Sequence, residues 1–133
     1  MRLLTLVNPM TTPNAGDDAS MRDFATGFFA GTEDFAAGWR AYGGSADAST
    51  ALDLLSVEDL SGLPPTIVIT NEADPVCDQG ERFADRLSLA GVDTLSLRAR
   101  GLVHAAWLFP KVLPEAHPLF ATVAGAIRTV LEH

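Results

Sequence analysis

Cysteine and lysine are almost missing from this sequence. Cys77 is the only cysteine, so no disulfide can close within the chain. Lys111 is the only lysine, beside eight arginines, and the formal net charge is −8. Such a surface repels phosphate backbones and anionic lipid, which excludes nucleic acid as a partner and argues against an anionic membrane surface. Long apolar runs are missing too. Leu3–Val7 is far too short for a signal-peptide core or a membrane span. No repeat, heptad or low-complexity tract occurs. A lone cysteine and no targeting segment read as a soluble, cytoplasmic protein. Nothing in the sequence calls for a cofactor or a metal.

What is present is a globular composition, 47% apolar and 20% charged over 133 residues. That length makes one ordinary domain, able to bury about 65–70% of its unfolded surface. Three segments read as strands. Leu3–Val7 and Thr66–Thr70 are near-continuous apolar runs, as in strands covered on both faces. Thr94–Arg98 alternates, as in a strand with one wet face near a sheet edge. Between the second and third strands, Asp78 reads as an N-cap. Phe83, Leu87 and Ala90 then mark a helical face, and Gly91 sits where a left-handed C-cap residue belongs. After the third strand, His117-Pro118 reads as a cap and first helical position. Phe120, Val123, Ile127 and Val130 form the face of a closing helix. Strand, helix, strand, helix is the grammar of a parallel sheet in an α/β fold.

Residues 8–65 form a long excursion between the first two strands, longer than an ordinary loop in a compact domain. Thr32 reads as the cap of a helix over about residues 33–42, with a shorter helix near residues 20–29. No element is assigned over residues 45–60. Six of the ten aromatics lie in the excursion: Phe24, Phe28, Phe29, Phe35, Trp39 and Tyr42. At helical spacing they serve either as core or as a wall facing a ligand.

The chemistry-bearing residues follow the second and third strands. Asp74 stands in Ile69-Thr70-Asn71-Glu72-Ala73-Asp74-Pro75, and His104 in Gly101-Leu102-Val103-His104. An acid and then a histidine, each at a strand end, is the second half of a Ser…Asp…His order. Taken alone, Asp74-Pro75 is a turn pair and His104 a loop histidine. Several strings together say more: Leu63-Pro64-Pro65, Glu72-Ala73-Asp74-Pro75, Asp78-Gln79-Gly80, Leu87-Ser88-Leu89-Ala90-Gly91-Val92 and Gly101-Leu102-Val103-His104. In this order and spacing they resemble the C-terminal part of the hormone-sensitive-lipase-like, fold-3 esterases of the α/β-hydrolase fold. The resemblance is tightest from about Leu60 to Trp107 and extends to Leu3–Tyr42, where Val7-Asn8-Pro9 resembles the end of the sixth strand.

The resemblance implies a partial α/β-hydrolase domain over residues 1–133. Its three parallel strands are equivalent to strands six to eight, with flanking helices and a helical cap-like insertion at 8–65; residues 66–133 carry the acid and the histidine. It implies Asp74 and His104 as catalytic residues, and Phe28, Phe35 and Trp39 as a wall against a small-molecule ester. The His-Gly-Gly oxyanion motif and the Gly-Asp-Ser-Ala-Gly nucleophile elbow do not occur here. Gly43-Gly44-Ser45-Ala46-Asp47 comes nearest and fails at the last glycine. Two smaller departures are Ala105-Ala106, where the family has Gly then Phe after the histidine, and Asp53-Leu54, where it often has Ser-Pro.

Serine is a poor nucleophile until a base takes its proton. Imidazole suits that task near neutral pH, and a carboxylate fixes its tautomer. Other acids have simpler uses: Asp78 as a cap, Glu72 as a rival to Asp74 lacking its proline. Cys77 reads as buried filler, His117 as a cap and His133 as a tail. Two functions follow. One is carboxylic ester hydrolysis, with the isolated chain inactive for want of a nucleophile. The other is a non-enzymatic fragment acting by self-association or with an N-terminal partner through the unpaired edge at Leu3–Val7. A phosphoacceptor domain is disfavoured, because Asn8-Pro9 follows the first strand where acids are needed.

Overall fold

A computed structural model describes residues 2–14, 17–43 and 52–132. Its centre is a sheet of three parallel strands in the order β1 (Leu4–Val7), β2 (Thr66–Ala73) and β3 (Thr94–Val103). Thr66 on β2 pairs with Leu4 on one side and Thr94 on the other. As the middle strand, β2 is covered on both faces: Val68 and Ile69 have no exposed surface. That is why it reads as an unbroken apolar run. β1 is only half-buried and pairs with β2 alone among the described residues.

β3 is twice the expected length. The strand read from the sequence stops at Arg98, although polar and apolar residues alternate on through Ala99 and Arg100, and pairing runs to Val103 through an irregularity opposite Asn71–Ala73. Gly101 takes φ 71° there, and its N–H donates to Glu72 Oε2 at 2.9 Å. Glycine within a strand marks such a bulge more often than an end.

Helix α3 (Cys77–Leu89) packs Phe83, Ala84 and Leu87 against Val68, with Leu60 and Val92 closing the cluster. Its C-terminus is as the sequence predicts. Gly91 at φ 80° donates to Ser88 O, and Val92 N donates to Leu87 O, which together form a Schellman motif. Its N-terminus is not. The helix begins at Cys77 after Val76, without a side-chain cap. Asp78 lies in the first turn and accepts instead from Ser20 N at 2.9 Å.

The excursion holds α1 (Ala19–Asp23), shorter than predicted, and α2 (Thr32–Gly43). Thr32 is α2's first residue rather than its cap, and its hydroxyl donates to Met21 O. A single 3-10 turn spans Leu54–Ser56; the string Gly44–Asp47 lies outside the described residues.

Helix α4 (His117–Glu132) follows a 3-10 turn at Pro114–Ala116. Its docking face overlaps the predicted one: Val123 and Ile127 are half-buried, and so is Leu119, which the sequence reading left out. Ala116 and Leu119 pack with Leu102 and Ala106 at the carboxyl end of β3, while Phe120 is 43% exposed.

Candidate active site at the strand ends

Each strand delivers one polar residue at its carboxyl end, where open α/β sheets place their chemistry. β1 ends in Asn8, β2 runs out into Asp74, and β3 runs out into His104. Pro75 has no N–H to offer, and the chain turns there into α3. Asp74 is fully buried, and every donor it needs is at hand. Its Oδ1 accepts from Val76 N at 2.9 Å. Its Oδ2 faces both His104 Nδ1 and Asn8 Nδ2, each at 2.9 Å. A buried carboxylate left without such bonds would be strongly destabilising.

With a carboxylate on Nδ1, the ring takes the tautomer protonated there and leaves Nε2 as the basic nitrogen. The His104 side chain is 20% exposed, so a reactant can reach it. Phe35 of α2 is buried and meets the imidazole edge to face, at 4.8 Å between centroids and 79° between planes. An imidazole held in this way is able to accept a proton at Nε2.

Of the predicted aromatic wall, Phe35 therefore stands against the histidine. Phe28 packs edge-on with Phe24 at 5.0 Å and is 41% exposed. Trp39, one helical turn beyond Phe35, lies 6.4 Å from Tyr42. Glu72, the rival acid, is spent on Gly101 N and does not meet His104. Cys77 lies against Glu81 with its thiol pushed up to about 11, chiefly by burial. Among the described residues no group of three or more His, Cys, Asp or Glu could hold a metal ion.

The backbone after the histidine gives the departure at Ala105 a cost. Ala105 is left-handed, at φ 56° and ψ 16°, before the 3-10 turn Ala106–Leu108. Glycine adopts that conformation freely; an L-residue does so at a cost of about 1–2 kcal/mol.

Sequence reasoning missed the residues that pin the excursion to α3. Gln79 is buried, and its Oε1 accepts from Thr11 N at 2.7 Å and Thr12 N at 3.1 Å. Ser20 Oγ donates to Pro75 O at 2.8 Å, next to the acid. Arg82 pairs with buried Asp18. A glutamine inside an otherwise amphipathic helix was the available signal. Asn8 and Asn71, also missed, reach the acid or its neighbours from two strands.

Similarity to known proteins accords with this arrangement. A family profile described as the alpha/beta hydrolase fold matches residues 1–108. The chain belongs to the α/β-hydrolase family. An arylesterase of Saccharolobus solfataricus is 59% identical over 51 residues, covering 38% of this chain and 17% of that protein. Carboxylesterase NlhH of Mycobacterium tuberculosis is 41% identical over 73 residues, covering 55% of this chain and 23% of that protein. An esterase of Pyrobaculum calidifontis superposes with a TM-score of 0.86 at 27% identity, over 98% of this chain and 44% of that one. This hydrolase chain thus spans less than half the length of each of these relatives. No helix among its described residues is long and apolar enough to cross a membrane.

Proposed function

We propose that this chain carries the base and the orienting acid of a carboxylic ester hydrolase, with His104 as the base and Asp74 as its partner. The observation behind this is the 2.9 Å contact of His104 Nδ1 with a fully buried Asp74, on a chain whose relatives are esterases. Serine attacks the ester carbonyl while His104 takes its proton. His104 then protonates the leaving alcohol, and later activates the water that frees the acid. The nucleophile and the oxyanion donors come from a segment outside these 133 residues, which hold no Gly-Asp-Ser-Ala-Gly. The substrate is an ester of short or medium acyl chain, with Phe35, and beyond it Phe28 and Trp39, as the wall of the cap-like excursion. With its single cysteine, the protein fits the cytoplasm.

The isolated chain is expected to show no serine-dependent turnover of p-nitrophenyl esters. The DNA upstream of the Met1 codon is expected to encode His-Gly-Gly and Gly-Asp-Ser-Ala-Gly, in frame or past a frameshift. Joined to that segment, the chain should hydrolyse the esters, and Asp74→Asn should lower kcat by a factor on the order of 10⁴. Turnover indifferent to Asp74 and His104 would sink the reading. The second reading, a fragment acting through association, is favoured by the half-buried edge of β1, which among the described residues pairs on one side only. Concentration-dependent assembly in light scattering supports it, and a monomer at high concentration counts against it.

A further inference from the structure

Asn8 directly follows β1, is buried, and holds a left-handed backbone at φ 48°. Asparagine tolerates that conformation better than most residues because its amide can bond nearby backbone. Here the amide reaches across 66 residues instead, and Nδ2 donates to Asp74 Oδ2 at 2.9 Å. The orientation of the amide is itself set. Asn8 Oδ1 accepts from Asn71 Nδ2 at 3.4 Å. Asn71 stands fully buried on β2, and its Nδ2 also donates at 2.5 Å to the carbonyl of Val103, the residue before His104. Its own Oδ1 has no hydrogen-bond partner among the described residues. A buried amide with one end unsatisfied is a poor way to fill a core. Its value lies in the two bonds it donates.

We propose that Asn8 and Asn71 are positioning residues for the His104–Asp74 pair. They link the carboxyl ends of all three strands. Asn8 holds one oxygen of Asp74 while Val76 N holds the other, so the plane of the carboxylate is fixed from two sides. Asn71 fixes the amide of Asn8 and ties down the backbone that carries His104. Because Asn8 and His104 share Oδ2, the carboxylate also divides its charge between two donors. The inference rests on the reading of His104 as a base, but it concerns the geometry of the pair and can be tested without turnover.

The test is the His104 Nδ1 proton, observed by NMR in the whole chain and assigned by its loss in His104→Gln. Asn8→Gly keeps the left-handed backbone without strain and deletes the amide. The resonance should move downfield, because Oδ2 then serves one donor. Asn71→Leu should move it as well. Should either fail to fold, Asn8→Asp is close in shape, accepts the same backbone, and sets an acceptor against Asp74; it too must move the resonance. A resonance unchanged in position and width in the folded Asn8 variants overturns the proposal. In the chain joined to a nucleophile-bearing segment, Asn8→Gly should lower kcat about ten- to a hundredfold with KM unchanged. If the resonance moves but the joined wild type shows no turnover, the positioning role stands and the hydrolase reading falls. If the joined enzyme is active and Asn8→Gly matches it in both kcat and resonance, the positioning role falls alone.

Discussion

Gly80→Ala probes how closely α3 must lie on the sheet to bring the turn at Asp74 under His104. A Cβ built on Gly80 would stand 2.9 Å from Thr70 Cγ2 and 3.4 Å from Pro9 Cγ. The threonine methyl cannot swing aside freely. Its Oγ1 donates to Glu81 Oε1 at 3.0 Å, and a β-branched side chain has few rotamers to choose from. Forcing an extra methyl into such a contact costs about 1–3 kcal/mol. Alanine regains about 1 kcal/mol over glycine inside a helix. The net expectation is a loss near 1 kcal/mol and no more than about 2 kcal/mol. The sharper quantity is the coupling with Thr70→Ser, which removes the methyl and keeps the hydroxyl. Alone, that change loses a buried methyl and about 1 kcal/mol. In the Gly80→Ala background it relieves the clash, so the pair should couple by about 1–2 kcal/mol. Urea unfolding of the four proteins of the cycle, followed by circular dichroism, measures it. Additivity within about 0.5 kcal/mol would refute the claim that this contact sets the distance between helix and sheet.

The remaining expectations follow from single sites. Cys77, buried and with its thiol pushed up to about 11, should resist DTNB at about pH 8 until urea unfolds the chain; labelling of the native chain at a free-thiol rate would contradict the burial. Glu81 is held below its usual value of 4.5, chiefly by the Arg98 guanidinium. Since its folded value is the lower one, its contribution is complete above the unfolded value and is lost as pH falls through the folded one. Replacing Arg98 by Met should therefore flatten the fall in urea midpoint between about pH 5 and pH 3, and a curve parallel to wild type would count against the pair. At Ala105 the left-handed penalty of about 1–2 kcal/mol opposes the chain entropy of glycine, about 0.5–1 kcal/mol, and a buried methyl of about 0.8 kcal/mol. Ala105→Gly should stay within about 1 kcal/mol of wild type while Ala105→Val loses more, and equal midpoints for the two would contradict the assigned conformation.

The relation of sequence to structure differs from element to element. β2 was legible because both its faces are covered, and the end of α3 because Gly91 has a local reason to be glycine. The second half of β3 was not, since Gly101 takes a left-handed backbone that stays within the strand only through the irregular pairing with β2. The cap assigned to Asp78 was reasonable by position and wrong by partner: its carboxylate serves Ser20, which lies on another helix. The face of α4 was legible at Val123 and Ile127, which are half-buried, but not at Leu119, which packs with Leu102 and Ala106 while Phe120 is exposed.

By itself the sequence determined the α/β class, the order of strands and helices, and the two residue types poised at the strand ends. These are written in local periodicity and in short strings, which depend on neighbours a few residues away. Only the tertiary structure decided how the buried Asp74 meets His104, that Phe35 of the three aromatics is the one against the ring, and that Asn8 shares the acid. Those contacts join residues 30 to 69 positions apart. They exist because parallel pairing stacks the carboxyl ends of three strands side by side, an arrangement no local pattern records.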